Sequence, residues 1–236
     1  MQSMCYAYKK PRWWMLTFPN RPFLDLGYHL YISGQKSYNG VAILSRTPLK
    51  DIKTGFAPLL GSETAAIFDE QKRVIAGVVG NVCVVNLYVP NGTAGGEKYN
   101  FKLTWLRALR EYLKQLQQRF THLWICGDFN IAPEDRDIHD PVAYHNHIMA
   151  TEPERQALQM ILELGFADPF RKFTPEAGHY SWWDYRAAAF RRNLGWRIDH
   201  HYLTPALYER TKQCWIDITP RKQLQPSDHA PVIVEL

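Results

Sequence analysis

Short apolar runs bounded by turn residues dominate this chain, and only two stretches are long and regular enough to be helices. The runs are HLYIS at 29–33, GVAILS at 40–45, TAAIF at 64–68, NVCVVNLYVP at 81–90, THLWIC at 121–126, HYSWWD at 179–184, WRIDHHYLT at 196–204, QCWIDIT at 213–219 and PVIVEL at 231–236. Segments of this length and composition read as strands. Against them stands 99–120, where Leu106, Leu109, Leu113, Leu116 and Phe120 recur at three- and four-residue spacing, the stripe of an amphipathic helix. A second helix opens at Thr151-Glu152-Pro153-Glu154, a capping box with an early proline, and runs through Leu158, Ile161, Leu162 and Leu164 to Gly165. Two helices are too few to cross over between every pair of strands, so an all-parallel sheet is excluded. The expected class is α+β, a four-layer α/β/β/α sandwich of two mixed, largely antiparallel sheets.

The 236 residues, 46% hydrophobic and 14% aromatic, supply a sizeable core, and no Pro/Ser-rich linker, repeat or charge block divides them. A single domain over 18–236 is expected, preceded by an irregular segment, 1–17, without a clean period. Net charge is +5 with a pI near 9.0, which suits an anionic partner without naming it. Cys5, Cys83, Cys126 and Cys214 show no C-x-x-C pairing, and three of them lie in strand-like runs, the usage of reduced thiols in a cytoplasmic protein. Neither a signal peptide nor a membrane span is supported.

Four strand ends carry unusual polar groups: Asn86, Tyr88 and Asn91 in NLYVPNG, Asp128 and Asn130 in GDFN, Asp199 in WRIDH, and Asp228 with His229 in PSDHAPV. Brought together, these carboxylates, amides, phenol and imidazole suit phosphate-ester hydrolysis, where positioning and charge stabilisation do most of the catalysis. Each also has a structural explanation. Asp128 with Asn130, and Ser227 with Asp228, are turn formers, and Asp199 lies close enough in sequence to Arg197 for a strand-surface ion pair. His139, His145 and His147 fit a solvated loop better than a zinc site, since no matching acidic or cysteine spacing accompanies them. Strand alternation points His200 and His201 to opposite faces, where packing is the default.

Together, GDFNIAPEDRDI, NLYVPNG, YSWWDYR, GWRID and PSDHAPV, with GYHLYISGQKSYNGVAILS upstream, resemble the bacterial exodeoxyribonuclease III family of the endonuclease/exonuclease/phosphatase superfamily. The resemblance runs from about Phe18 to the C-terminus. It implies the sandwich fold and a Mg²⁺-dependent DNA repair nuclease, Mn²⁺ being an alternative ion. Such an enzyme cuts 5′ of abasic sites and degrades duplex DNA from 3′ ends. By the same resemblance Asp128 activates water, Asn130, Tyr88 and Asn91 hold the phosphate, and Asp199 orients His229, whose imidazolium bonds it. Asp228, Asp128 and Asn130 are then the implied metal residues. Trp182, Trp196 and Ile198 shape the abasic pocket, and Arg197, with Arg186, Arg191 and Arg192, accompanies the DNA backbone. Arginines covering core tryptophans are the competing explanation of that Arg/Trp mixture. The implied partner is double-stranded DNA with abasic sites or 3′ ends; no membrane partner is implied, and a monomer is expected.

The family's Gln-Glu-Thr-Lys motif, whose Glu is the principal metal ligand, and its Asn-bearing first strand do not occur in these residues. The domain is therefore expected to be N-terminally incomplete, either as a shortened reading of an ordinary gene or as a degenerate family member. A catalytically impaired DNA-binding remnant and a superfamily phosphatase are the corresponding alternatives.

Overall fold

The computed structural model describes residues 20–35, 39–93 and 96–236. The irregular segment expected over 1–17 lies outside them. The architecture is α+β, with mixed, largely antiparallel sheets flanked by helices. The chain divides into two compact units, one made of residues up to Val89 with Arg107–Asp128, the other of Pro90–Leu106 with Phe129–Leu236.

In the first unit a short helix α1 (Asn20–Asp25) precedes an antiparallel pair, β1 (His29–Gly34) and β2 (Gly40–Ser45), in the register His29 to Ser45 and Gly34 to Gly40. Strands β3 (Lys50–Thr54), β4 (Val74–Val79), β5 (Val82–Tyr88) and β6 (Leu123–Asp128) lie side by side in that order, antiparallel except for the parallel β5–β6 pair. Val41, Ile43, Leu49, Ile75, Val84 and Cys126 form a buried cluster. The Asn86 amide, wholly buried, donates to the Ala42 carbonyl at 2.7 Å and ties β5 to β2. Asn86 thus serves packing, a role its polar character did not announce.

The segment TAAIF, expected as a strand, is helical. After a single turn α2 (Ala57–Leu60), α3 covers Ser62–Asp69. Ala65 and Phe68, three apart, are buried while Ala66 and Ile67 are exposed, which is helical and not alternating spacing. Asp69 fixes the end of α3 by accepting from the Phe56 and Ala57 amides at 2.7 and 2.9 Å. Two strands escaped the sequence reading. KDIKT is almost wholly exposed and shows no apolar alternation, whereas VIAGVV is buried on both faces and reads as an undifferentiated apolar run.

The long helix α4 (Gly96–Gln117) buries Leu106, Leu109, Leu113 and Leu116 as the spacing predicts, and Phe120 falls beyond its end. In the second unit the capping box holds: Thr151 and Glu154 exchange side-chain and backbone bonds at the start of α5 (Glu152–Leu162). Helix α6 (Pro169–Phe173) follows, capped by Asp168. HYSWWD contributes only β7 (Trp182–Trp183), paired antiparallel with β8 (Gly195–Trp196). WRIDHHYLT is broken in two, because the Arg197 amide donates to the Asp137 carbonyl at 2.9 Å; the run resumes as β9 (Asp199–Leu203). After α7 (Pro205–Arg210), β10 (Gln213–Ile216) and β11 (Val232–Glu235) form an antiparallel pair. His200 and His201 pack as expected, bonded to the carbonyls of Ile131 and Val232 at 2.9 Å each. Burial pushes the His200 imidazole down to about 4, so it stays neutral. Cys83, Cys126 and Cys214 are buried free thiols. Among the described residues no helix is long and apolar enough to cross a membrane.

Candidate active site

The penultimate residue of β6 is a glycine with no room for a side chain. Gly127 has φ +137°, and a Cβ there would stand 1.9 Å from the Leu87 carbonyl oxygen. That close approach lets β6 lie in parallel register with β5, Leu87 opposite Gly127 and Tyr88 opposite Asp128. The Val89 amide, donating to the Asp128 carbonyl at 2.9 Å, extends the pairing beyond the strand. Two expected site residues therefore leave the same end of neighbouring strands, and Asp128 is only 2% exposed. Behind Tyr88 lies Arg73, its guanidinium 4.5 Å from the ring centroid and its Nη1 donating to the Tyr88 carbonyl at 3.1 Å. Burial lowers the Arg73 pKa, and the neighbouring Tyr88 and Asp128 work in the opposite direction.

In the second unit Asp199 and His229 meet as expected. His229 Nδ1 is 2.8 Å from Asp199 Oδ2, so with the carboxylate as acceptor the proton sits on Nδ1. Ser181 completes the arrangement: its Oγ donates to Asp199 Oδ2 at 2.7 Å and accepts from the Ile198 and Asp199 amides at 3.1 and 3.0 Å. Its carbonyl accepts from the Ala230 amide at 2.7 Å, next to His229. Ser181 is fully buried; it lies within YSWWDYR, but nothing in that motif's residue types announced its bond to Asp199. Asp228, expected beside a metal, accepts the Trp182 indole N–H through Oδ2 at 3.0 Å. The turn expected at Ser227-Asp228 is present too, since the His229 amide donates to Ser227 Oγ at 3.1 Å.

The Asn91 amide donates to Asn130 Oδ1 at 3.0 Å, joining two of the expected phosphate contacts. Asn130 sits in the left-handed region at φ 49°, which asparagine tolerates better than most residues. The Phe129 amide, one peptide bond beyond Asp128, donates to the Ile198 carbonyl at 2.8 Å. Trp196 and Ile198 are buried in one cluster with Ala132, Ile138 and Met149, and Trp182 packs against it. Tyr144 meets Trp196 edge to face, ring centroids 5.3 Å apart. A cavity of about 250 Å³ borders the same cluster, lined by Ile138, Tyr144, His145, Glu152 and Arg155 among others.

Arg197 departs from its expected part in substrate binding. It is 1% exposed, bonded through Nε to Asp137 at 2.6 Å and through Nη1 to Asp168 at 2.9 Å. Burial works against its charge, but Asp168 and Asp137 more than compensate and hold its pKa above the ordinary value. A guanidinium occupied in this way has no reach to a phosphate backbone. It holds the loop around Asp137 and Asp168 to the segment before β9, and its ion pair is with these residues.

The endonuclease/exonuclease/phosphatase family model matches residues 7–229, and the chain belongs to that family. Its relatives place it with the exodeoxyribonuclease III and AP-endonuclease members. It is 35% identical to an exodeoxyribonuclease of Bacillus subtilis, over 87% of this chain and 78% of that one. It is 34% identical to exodeoxyribonuclease III of Haemophilus influenzae, over 93% and 84%. Among solved structures, a 3′ phosphatase from Neisseria bound to product DNA hairpin shares 40% identity with a TM-score of 0.89, over 95% of this chain and 85% of that one. An AP endonuclease from Archaeoglobus fulgidus shares 39% with a TM-score of 0.86, over the same fractions.

Proposed function

We propose that this protein binds duplex DNA at abasic sites and 3′ ends, and that its hydrolysis of phosphate esters there is impaired relative to its relatives. The observation that carries the binding half of this reading is the Asp199–His229 pair, His229 Nδ1 2.8 Å from Asp199 Oδ2, while impaired turnover is suggested by the family's Gln-Glu-Thr-Lys glutamate not occurring in these residues. In the second unit Asp199 and His229 offer a cation a carboxylate and an imidazole. Mg²⁺ requires near-octahedral oxygen ligation. Here Asp199 Oδ2 already accepts from Ser181 Oγ and His229 Nδ1, and an Nδ1 that carries a proton offers no lone pair to a cation. A divalent cation beside this pair would take carboxylate oxygens and water as ligands, and not His229 Nδ1.

The same pair suits phosphate binding. A histidine held by a carboxylate presents its remaining ring nitrogen in a fixed direction, and its protonated form gives phosphate a charge-assisted hydrogen bond. Tyr88, Asn91 and Asn130 supply further donors, and Trp182, Trp196 and Ile198 supply the apolar surface for an unstacked sugar. Retention of DNA recognition without efficient turnover follows. The 40% identity with the Neisseria 3′ phosphatase favours a second reading, an active DNA 3′-end phosphoesterase.

One pair of measurements separates them. Fluorescence anisotropy with an abasic duplex is expected to show binding that survives chelation of divalent ions. Incubation of the same duplex with Mg²⁺ is expected to give cleavage far slower than that of the Bacillus subtilis relative. Cleavage at the relative's rate, abolished in Asp128→Ala, would establish the active enzyme instead.

A further inference from the structure

We infer that Lys102 is a positioning residue that sets the Asn91 and Asn130 amides for DNA phosphate, an inference that rests on the phosphate-binding reading of those two side chains. Lys102 lies on α4 and is fully buried, an unusual place for an ammonium group. A buried cation persists only where its N–H donors find acceptors and its charge a partner. All three donors of Lys102 are matched. Nζ donates to the Asn130 carbonyl at 2.7 Å, to the Asn91 carbonyl at 3.2 Å, and in a short contact to Glu154 Oε1. The two neutral acceptors are thus the backbone oxygens of the very residues whose side chains bond each other.

The surroundings fix this geometry from both sides. Gly92 follows Asn91 with φ +81°, and a Cβ there would come within 2.8 Å of Lys102 Cδ, so the turn after Pro90 wraps the lysine stem. Asn130 holds its left-handed φ of 49°, which aims its carbonyl at Nζ. Glu154, also fully buried, is itself immobilised. Its Oε1 accepts from the Met149 amide at 3.2 Å, and its Oε2 accepts from the Thr151 amide and hydroxyl at 3.1 and 2.7 Å. The capping-box glutamate therefore doubles as counterion to the lysine that joins the two loops. With no exposed surface, Lys102 cannot meet phosphate directly, and its influence on DNA passes through the asparagines.

The test compares the parent with Lys102→Met/Glu154→Gln, which removes both buried charges together and avoids stranding one of them, and with Asn91→Ala and Asn130→Ala. The double variant is expected to stay folded, to move the side-chain amide cross-peaks of Asn91 and Asn130 in ¹⁵N-correlated NMR spectra, and to bind abasic duplex about 10-fold more weakly. The slope of log K against log[salt] should be unchanged, because no phosphate-contacting charge is lost; a slope reduced by about 1 would mean direct contact and overturn the inference. Parent-like amide peaks and affinity in the folded double variant would also overturn it. If Asn91→Ala and Asn130→Ala themselves bind like the parent, the phosphate reading fails. If they lose binding and the double variant does not, only the role of Lys102 fails. Should the double variant not fold, Lys102→Arg carries the same test: displaced amide peaks with weakened binding support the inference, and parent-like values overturn it.

Discussion

At Ser181 one hydroxyl fixes the direction of Asp199 by donating to its carboxylate and accepting from two backbone amides, so removing it strands polar groups in a buried site. Losing a buried partner of this kind costs on the order of 1–3 kcal/mol. Ser181→Ala should lower the unfolding midpoint accordingly and weaken abasic-duplex binding, whereas Ser181→Thr, which keeps the hydroxyl, should retain most of both; equal affinity in parent and Ser181→Ala would remove Ser181 from the site. Asp137 gives a second test at this scale. Burial alone would raise its carboxyl, but the charge and hydrogen bond of Arg197, with Arg171 behind them, outweigh burial and hold it below the ordinary value. The unfolded carboxyl therefore takes up its proton at higher pH than the folded one. Stability from this pair is complete above the unfolded value of about 4 and is lost as pH falls from there through the folded value. Urea unfolding near pH 7 and near pH 3 should show that loss. Asp137→Asn should reduce it and should lower stability at neutral pH by about 3–5 kcal/mol, since it leaves Arg197 short of its partner. An unaltered pH dependence in Asp137→Asn would contradict the assignment.

Among the elements, β6 has the least latitude. The Leu87 oxygen that a Gly127 Cβ would strike belongs to the backbone of β5, and only separation of the two strands would relieve the clash. Gly127→Ala should therefore cost at least about 2 kcal/mol, through backbone strain and overpacking together, and hydrogen exchange should show faster opening of the β5–β6 amides. A variant as stable as the parent would mean that the register is less constrained than the close approach indicates. The elements also show how far periodicity carries. The α4 stripe and the Thr151 cap were legible because their signals are local: leucines at three and four apart, and a Thr with a Glu three residues on. KDIKT was illegible because its pairing with β4 leaves little apolar trace, and TAAIF misled because five small or apolar residues satisfy strand and helix alike until the burial of Ala65 and Phe68 decides. The site divides in the same way. Asp199, His229 and the Asn91–Asn130 pair stand in recognisable motifs as polar strand ends, whereas Ser181, Arg73 and Lys102 matter through contacts to residues distant in sequence, which no local spacing encodes.

For the whole molecule the question is which part of the +5 charge faces DNA. Arginines near one another in sequence have separate fates. Arg197 is buried in ion pairs, and Arg221, only 6% exposed, lies over Trp183 and Phe190. Arg186 is exposed but bonded to Asp184 at 2.6 Å, which offsets its charge. Arg191 and Arg192 are exposed, in the loop that leads into β8. Each phosphate neutralised by a cation adds about 0.9 to the magnitude of the slope of log K against log[salt] on duplex DNA. Arg191→Ala/Arg192→Ala should therefore flatten that slope by up to about 2, with equal effect on abasic and intact duplexes, because backbone contacts carry no lesion information. Arg186→Ala should change it less, since the ion pair with Asp184 has already reduced the charge available to phosphate. Trp196→Ala should leave the slope alone and narrow the preference for abasic over intact duplex, the mark of a pocket and not of a charge. A double-arginine variant with the parent's slope would place the DNA backbone elsewhere on the protein. Loss of slope in Trp196→Ala would show that the indole supports the basic loop and does not itself select the lesion.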